Sequence, residues 1–363
     1  MKTFPIDQIT VDKAKQMQFR LVECISHHFD GESILDAGDY GVNQKTGRPL
    51  HTVRAEKVLA EFFHAEEACL VRGAGSGAIR SLLMSVAMPN QEILLHKAPI
   101  YPTTAVTMRA MGLKPTFIDL NHPQEINTTD IAGIKLGIIQ HARQQMEDCY
   151  SLKESIAFLK EINPSIYLIT DENYLVFKVD QIGIELGADA SAFSTFKLFG
   201  PEGVGCILGS KKVIDGIRKD LYSGGSQVQG VEALDTLRSM VFAPVAFAIQ
   251  KEVVDETVNR IKNEKMPGIH DAYIANAQSR VILVEFEKPI AKRVLQTAIT
   301  LGAAPHPVGS ESRYEIAPMF YRVSGTFLLD NPSLADTMIR INPMRSGPDL
   351  IISILRKSIE QAG

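Results

Sequence analysis

The chain has 363 residues, 45% hydrophobic and 22% charged, a balance that sets disorder aside and leaves room for one large domain and a smaller one. Its 38 Lys and Arg against 42 Asp and Glu give a formal net charge of −4, too even to gather nucleic acid or an anionic membrane, so the expected partner is a small molecule. There is no signal-type leader or membrane-length apolar run, and Cys24, Cys69, Cys149 and Cys206 are scattered without disulfide or zinc spacing, so the expected setting is the cytoplasm, with reduced thiols and no metal.

Residues 1–55, with the irregular stretch "DAGDYGVNQKTGRPL", read as an N-terminal arm. From about residue 56 to 222, short apolar runs alternate with helix-length segments: "ACLV", "EILLH", "PTFIDL", "LGIIQH", "IYLIT", "SAFSTF" and "VGCILG". Strands covered on both faces by crossover helices read this way, which predicts an α/β fold with a mostly parallel sheet. Ligands of such sheets lie beyond the carboxyl ends of the strands. The polar residues fall there: Arg72 to Gly77, His96 to Thr104, His141 to Arg143, Asp171 to Asn173, and Lys197.

After "LYSGGSQVQG" the pattern becomes long helix, in two pieces around Pro244. Then come "RVILVEFEK", a helix near Ala291 to Gly302, and "MIRINP". The expected organisation is an arm (1–55), a large cofactor-binding domain (56–235) and a small C-terminal αβ domain (236–363).

"RGAGSGAIRSLLMSVAM" sets Gly73, Gly75 and Gly77 just before an amphipathic helix. Glycines let a backbone approach an anion and a helix N-terminus offers free N–H groups, so a phosphate suits the loop. The spacing is neither GxGxxG nor a P-loop, and a tight strand-to-helix turn without a ligand explains the same residues.

In "AFSTFKLFGPEGVG", Lys197 stands between phenylalanines. Burying an ammonium alone is costly, so this lysine is either at an exposed edge or chemically employed. Asp171 ends the "IYLIT" strand, and the interval to Lys197 is one parallel crossover, which brings both side chains to one rim. A lysine for a Schiff base, an acid for a ring nitrogen and a phosphate cradle are together the requirements of pyridoxal 5'-phosphate (PLP). Ser194 and Thr195 add hydroxyls beside Lys197.

These motifs resemble those of the fold-type I PLP enzymes, the aspartate aminotransferase superfamily, and within it the cystathionine γ-synthase-like and selenocysteine synthase-like branch. "STFKLFGPEGVG" is similar to the same segment of a bacterial subgroup, the YhfS-like proteins. The resemblance runs from about residue 50 to the C-terminus. It implies that Lys197 is the Schiff-base lysine and Asp171 the ring-nitrogen acid. It assigns Gly75, Ser76 and Gly77 to the phosphate, with Ser194 and Thr195 beside them.

Tyr101, in "HKAPIYPTTAVTMRAMG", matches the tyrosine that stacks on the ring; the alternative is a Tyr-Pro turn packed on its own loop. "MIRINPMRSG" is similar to the lyases' C-terminal arginine motif, which implies that Arg340 takes a substrate carboxylate, with Arg345 and Arg322 behind it. An internal carboxylate is the alternative partner. "YSGGSQVQG" resembles the loop that reaches a neighbouring subunit's phosphate, so the resemblance implies a homodimer with Ser226 contributed across an interfacial active site. The lyases' Tyr-x-Arg pair is missing from the arm, where Tyr40 and Arg48 or Arg54 are the candidates to replace it.

The expected function is a PLP-dependent lyase or transferase that works on a small amino acid through an external aldimine. Lys197 also moves the Cα proton, and the outcome is β or γ elimination or replacement. An aminotransferase, racemase or aldolase of the same fold uses the same residues. A PLP-binding protein without catalysis and, on the glycine loop alone, a nicotinamide-dependent oxidoreductase are the other readings. His27 and His28 read as surface or hydrogen-bonded residues, and His141 as one that could stand near the cofactor.

Overall fold

The seven apolar runs form the seven strands of one sheet. In the computed structural model, which describes residues 2–277, 279–308 and 311–363, they are β1 (Glu67–Arg72), β2 (Glu92–His96), β3 (Lys114–Ile118), β4 (Leu136–Gln140), β5 (Tyr167–Asp171), β6 (Ala190–Ser194) and β7 (Val204–Gly209), in the order β1-β7-β6-β5-β4-β2-β3. The strands from β3 to β6 are all parallel, and β7 runs antiparallel to both β6 and β1. The nine residues between β6 and β7 make a turn rather than a crossover helix, so β7 returns antiparallel.

Alternation along the strands gives the sheet two apolar faces. Ile93, Leu95, Ile138 and Ile169 meet Ile79, Leu82 and Leu83 of helix Ala74–Val86 on one face. Leu94, Ile139 and Leu168 meet Ile156 and Leu159 of helix Leu152–Ile162 on the other. That second helix starts where the Ser151 side chain accepts the Glu154 N–H, a standard way to satisfy an orphan donor.

The described chain divides into two units, Asp12–His141 with Tyr150–Pro244, and Met1–Val11 with Ala142–Cys149 and Val245–Gly363. The first holds the seven-stranded sheet. The second holds an antiparallel sheet of β8 (Ile269–Ala277), β9 (Ser279–Phe286), β10 (Met319–Arg322) and β11 (Met338–Asn342), in the order β10-β11-β9-β8. Ile282, Val284, Ile339 and Ile341 pack one face of it against Val294, Ala298, Ile351 and Leu355 of helices Ala291–Thr300 and Pro348–Ala362. The long helical segment is broken at Val241 and Phe242, giving helices Gly230–Met240 and Ala243–Glu264. Pro244 sits in the first turn of the second, where its missing N–H costs nothing.

Residues 11–28 form a helix that the sequence reading did not separate from the arm. Behind β1, Glu56 is 1% exposed. Its carboxylate pairs with Arg48 at 2.6 Å and Arg218 at 3.1 Å and accepts the Leu70 N–H at 3.0 Å. All four cysteines are free thiols, with Cys149 exposed and the others buried. Burial, helped by the Glu61 carboxylate, pushes the Cys24 thiol up to about 11.

Candidate active site

Asp171 and Lys197 arrive at one rim because β5 and β6 are adjacent and parallel, with Asp171 opposite Ala192. Beyond Ser194 the chain enters a one-turn 3₁₀ helix, Phe196–Leu198, that carries Lys197. Thr195 anchors this turn: its N–H and hydroxyl both donate to Val204 O, at 3.1 and 2.9 Å, and its carbonyl accepts the N–H groups of Leu198 and Gly200 at 2.9 Å each. Thr195 is fully buried and its hydroxyl is committed to that bond. Phe199 follows in the left-handed region at φ 67°, a strain characteristic of functional turns.

The lysine between phenylalanines is half-buried, and aromatic rings face its ammonium. Nζ lies 3.6 Å from the centroid of the Tyr174 ring and 5.9 Å from that of Tyr101, both within cation–π range. Tyr101 ends the loop before helix Pro102–Ala110. Burial raises its hydroxyl's pKa, the Asp171 charge adds to that, and the Lys197 charge opposes it.

The carboxyl of Asp171 is 8% exposed. Its Oδ1 accepts the Asn173 backbone N–H at 3.0 Å and the Asn173 side-chain amide at 2.6 Å. Among the described residues nothing donates to Oδ2. Burial raises the pKa of the group against the pull of these two bonds and of the Lys197 charge. Asp171 lines a cavity with His96, Thr104, Gln140 and Tyr150. The Tyr150 hydroxyl donates to Gln140 O at 2.5 Å, and the His96 ring lies 4.8 Å from the Tyr150 ring.

The glycine loop has a physical reason at each position. Gly73 takes φ 95° to turn β1 into the helix, and its N–H and that of Ala74 both donate to Gly203 O, at 2.7 and 3.0 Å. Gly75 and Ser76 follow in the helix's first turn, where N–H groups lack intrahelical acceptors. The Ser76 hydroxyl lies 2.7 Å from that of Thr103. A Cβ on Gly77 would stand 2.0 Å from Arg72 O. Gly77→Ala is therefore expected to cost about 2 kcal/mol or more and to shift the first turn, lowering the Tm of the cofactor-free protein and weakening PLP in a spectroscopic titration.

The remaining candidates are placed as follows. Ser226 lies in a surface turn, and the next residue, Gln227, bridges to Val71 of β1. Tyr40 is exposed, Arg54 lies over the Phe29 ring, and Arg48 is held by Glu56. In the other unit, Arg340 is 8% exposed on β11 with its guanidinium 3.9 Å from the Tyr321 ring centroid. Arg345 donates to Gln250 at 3.0 Å in a buried polar group with Glu311 and Asn342, and burial lowers its pKa. Arg322, on β10, is exposed.

His141 Nδ1 lies 2.6 Å from Glu172, a fully buried carboxylate whose other oxygen accepts the Gly183 N–H at 2.7 Å. His27 and His28 both bond Glu61, at 2.6 and 2.7 Å. The sequence reading gave no individual role to Asn173, Tyr174, His96, Gln140 or Tyr150. Strand-end position was the available signal for His96, Gln140 and Asn173. Among the described residues no cluster of three or more His, Cys, Asp or Glu is arranged to hold a metal, and no helix is long and apolar enough to cross a membrane.

Known proteins resemble this chain in sequence and in fold. Residues 44–239 match the aminotransferase class-V family, and residues 255–355 match the YhfS-like C-terminal domain. The chain is 48% identical over 360 residues to the Escherichia coli protein YhfS, covering 99% of each. It superposes on a crystal structure of that PLP-dependent protein with a TM-score of 0.95, covering 99% of this chain and 100% of that one at 46% identity. A carbon-sulfur lyase involved in aluminum resistance from Clostridium novyi shares the fold, with a TM-score of 0.70 at 15% identity, over 97% of this chain and 91% of that one. The cysteine desulfurase IscS of Clostridium botulinum is 23% identical over 265 residues, 69% of this chain and 63% of that protein. The chain thus belongs to the aminotransferase class-V family and carries the YhfS-like C-terminal domain.

Proposed function

We propose that this protein is a cytoplasmic, homodimeric PLP-dependent enzyme that eliminates or replaces a group at the β or γ carbon of a small amino acid. The observation that carries the cofactor is Asp171, a buried carboxylate that lines a cavity within electrostatic reach of Lys197 and whose two bonds from Asn173 both go to Oδ1. A protonated pyridine nitrogen is the donor that Oδ2 lacks among the described residues, so the residues present fit PLP. The likeness to the PLP-dependent E. coli protein YhfS supports the same reading. The likeness of fold to carbon-sulfur lyases supports the choice of reaction.

Bound PLP supplies an electron sink for negative charge at the substrate's Cα. Asp171 holds the ring-nitrogen proton, and its buried setting keeps water from competing for that bond. The N–H groups of Gly75 and Ser76, the helix dipole and the Ser194 hydroxyl would hold the phosphate, with Gly77 keeping the loop close. Tyr101 would lie against the ring. The Lys197 amine takes the proton from Cα and returns it, and Arg340, with Arg345 behind it, binds the substrate carboxylate. In the homodimer, Ser226 of each protomer serves the neighbouring phosphate.

The test is a product assay with the holoenzyme and a panel of β- and γ-substituted amino acids. Pyruvate or 2-oxobutyrate with ammonia is expected. Consumption of an amino acceptor without those products would replace elimination by transamination, the second reading that the aminotransferase class-V match favours. Racemised substrate or a released aldehyde would point to the racemase or aldolase outcome. A holoenzyme indifferent to every amino acid would leave a non-catalytic PLP-binding protein.

A further inference from the structure

We infer that Asn173 is a positioning residue that joins the acid, the glycine loop and the lysine-bearing segment into one rigid site. The inference rests on the PLP reading above and adds a residue to it. Asn173 supplies both hydrogen bonds to the Asp171 carboxylate, its backbone N–H at 3.0 Å and its Nδ2 at 2.6 Å, and both go to Oδ1. Its Oδ1 accepts the Ser194 N–H at 3.1 Å, three residues before Lys197. Against Gly75 it leaves no room for a side chain: a Cβ there would stand 2.5 Å from Asn173 Oδ1 and 2.7 Å from Nδ2. One amide therefore touches three segments far apart in sequence.

Chemistry fixes the orientation of that amide. Rotated by 180°, its carbonyl would face a carboxylate oxygen and its NH₂ would face an N–H, two repulsive contacts in place of two bonds. Held as it is, the amide occupies Oδ1 and leaves Oδ2 of Asp171, a residue that lines the cavity, for a donor from elsewhere. Its two donors also favour the ionised carboxylate, which burial disfavours. The other titratable or charged groups facing Asp171 are Lys197 from the turn after β6, Glu172 beside it in the chain, Tyr101 from the loop after β2, and His96 and Tyr150 across the cavity. Lys197 favours the ionised form and Glu172 opposes it.

The experiment measures PLP affinity by absorption titration from pH 5 to 9, with Tm of the cofactor-free protein, for wild type, Asn173→Ala and Asn173→Asp. Asn173→Asp keeps the shape, the contact with Gly75 and the acceptor for Ser194, but it loses the donor and sets an acid against Oδ1. As pH falls, Asp171 takes up a proton and loses its hold on the ring nitrogen. The acid-side loss of affinity is therefore expected to begin at least about one pH unit higher in both variants, and at a higher pH in Asn173→Asp than in Asn173→Ala. Near pH 7 the affinity is expected to fall about tenfold or more, and the second carboxylate beside Asp171 also lowers the Tm of Asn173→Asp there. Should Asn173→Ala fail to fold, Asn173→Asp decides alone. A pH curve of either folded variant that superposes on wild type overturns the inference, because a packing role alone moves Tm and not the titration. Wild type that takes up no PLP at any pH overturns the cofactor reading itself, and with it the role assigned to Asn173.

Discussion

Lys197→Ala is expected to bind PLP without the absorption band of a lysine-linked cofactor and to lose turnover by about 10³-fold or more. The size follows from two tasks resting on one amine, covalent attachment and proton transfer at Cα. The fold should hardly notice the change. Lys197 is half-buried in a turn that the Thr195 and Val204 bonds hold. The cation–π contact with Tyr174 that this change removes is worth about 0.5–1 kcal/mol at a partly exposed site. Spectra of wild type and variant at equal PLP, with Tm beside them, check both halves. Lys197→Arg should fail in the same way, since a guanidinium keeps the charge but is not a nucleophile at neutral pH. A band that survives in Lys197→Ala would mean that the lysine among its phenylalanines is structural.

Much of the first unit was legible because its strands are buried on both faces. β1, β2 and β4 to β7 read as apolar runs for that reason, while β3 lies at the sheet edge and exposes Lys114, Pro115 and Phe117; the polar residues just past the strand ends mark the rim where Asp171 and Lys197 meet. β8 and β10 were harder. "IHDAYIANA" carries Asp271 and Asn276 on an edge strand, and "MFYR" is four residues long, so neither displays an apolar period.

Asn173 and Tyr174 were illegible as partners for a different reason. Their positions depend on a turn in which Tyr174 takes φ 79°, and no spacing rule announces a strained non-glycine residue. Arg345 teaches the converse. Arg345, which sequence pattern offers to a substrate carboxylate behind Arg340, also bonds Gln250 within its own unit, a contact that tertiary packing sets. The motif "MIRINPMRSG" reads the same whichever partner its arginines find. Arg340, stacked on Tyr321, keeps the substrate role in the proposal.

Glu56→Gln is expected to destabilise the fold by about 3 kcal/mol. The carboxylate bonds two guanidinium groups with side chains 15% and 19% exposed, as well as the Leu70 N–H. Removing its charge leaves Arg48 without an ion-pair partner among the described residues, while Arg218 keeps Glu67 at 2.8 Å and Asp215 at 3.2 Å. The residual exposure of Arg48 places the cost at the lower end of the range for breaking a buried pair. Replacing Arg48 by Met in the same chain should therefore restore part of the loss, because the unpaired charge is the larger penalty. Urea midpoints of the cofactor-free proteins measure this without the stabilisation that a bound ligand adds. The effect should reach the site as well. Glu56 Oε1 holds the backbone of β1 two residues before Arg72, and β1 leads into the Gly73 turn and the helix start proposed to hold the phosphate. Weaker PLP affinity in Glu56→Gln, recovered with stability in the double variant, would show that this ion pair supports the cofactor loop. Lost stability with unchanged affinity would confine its role to the fold behind β1.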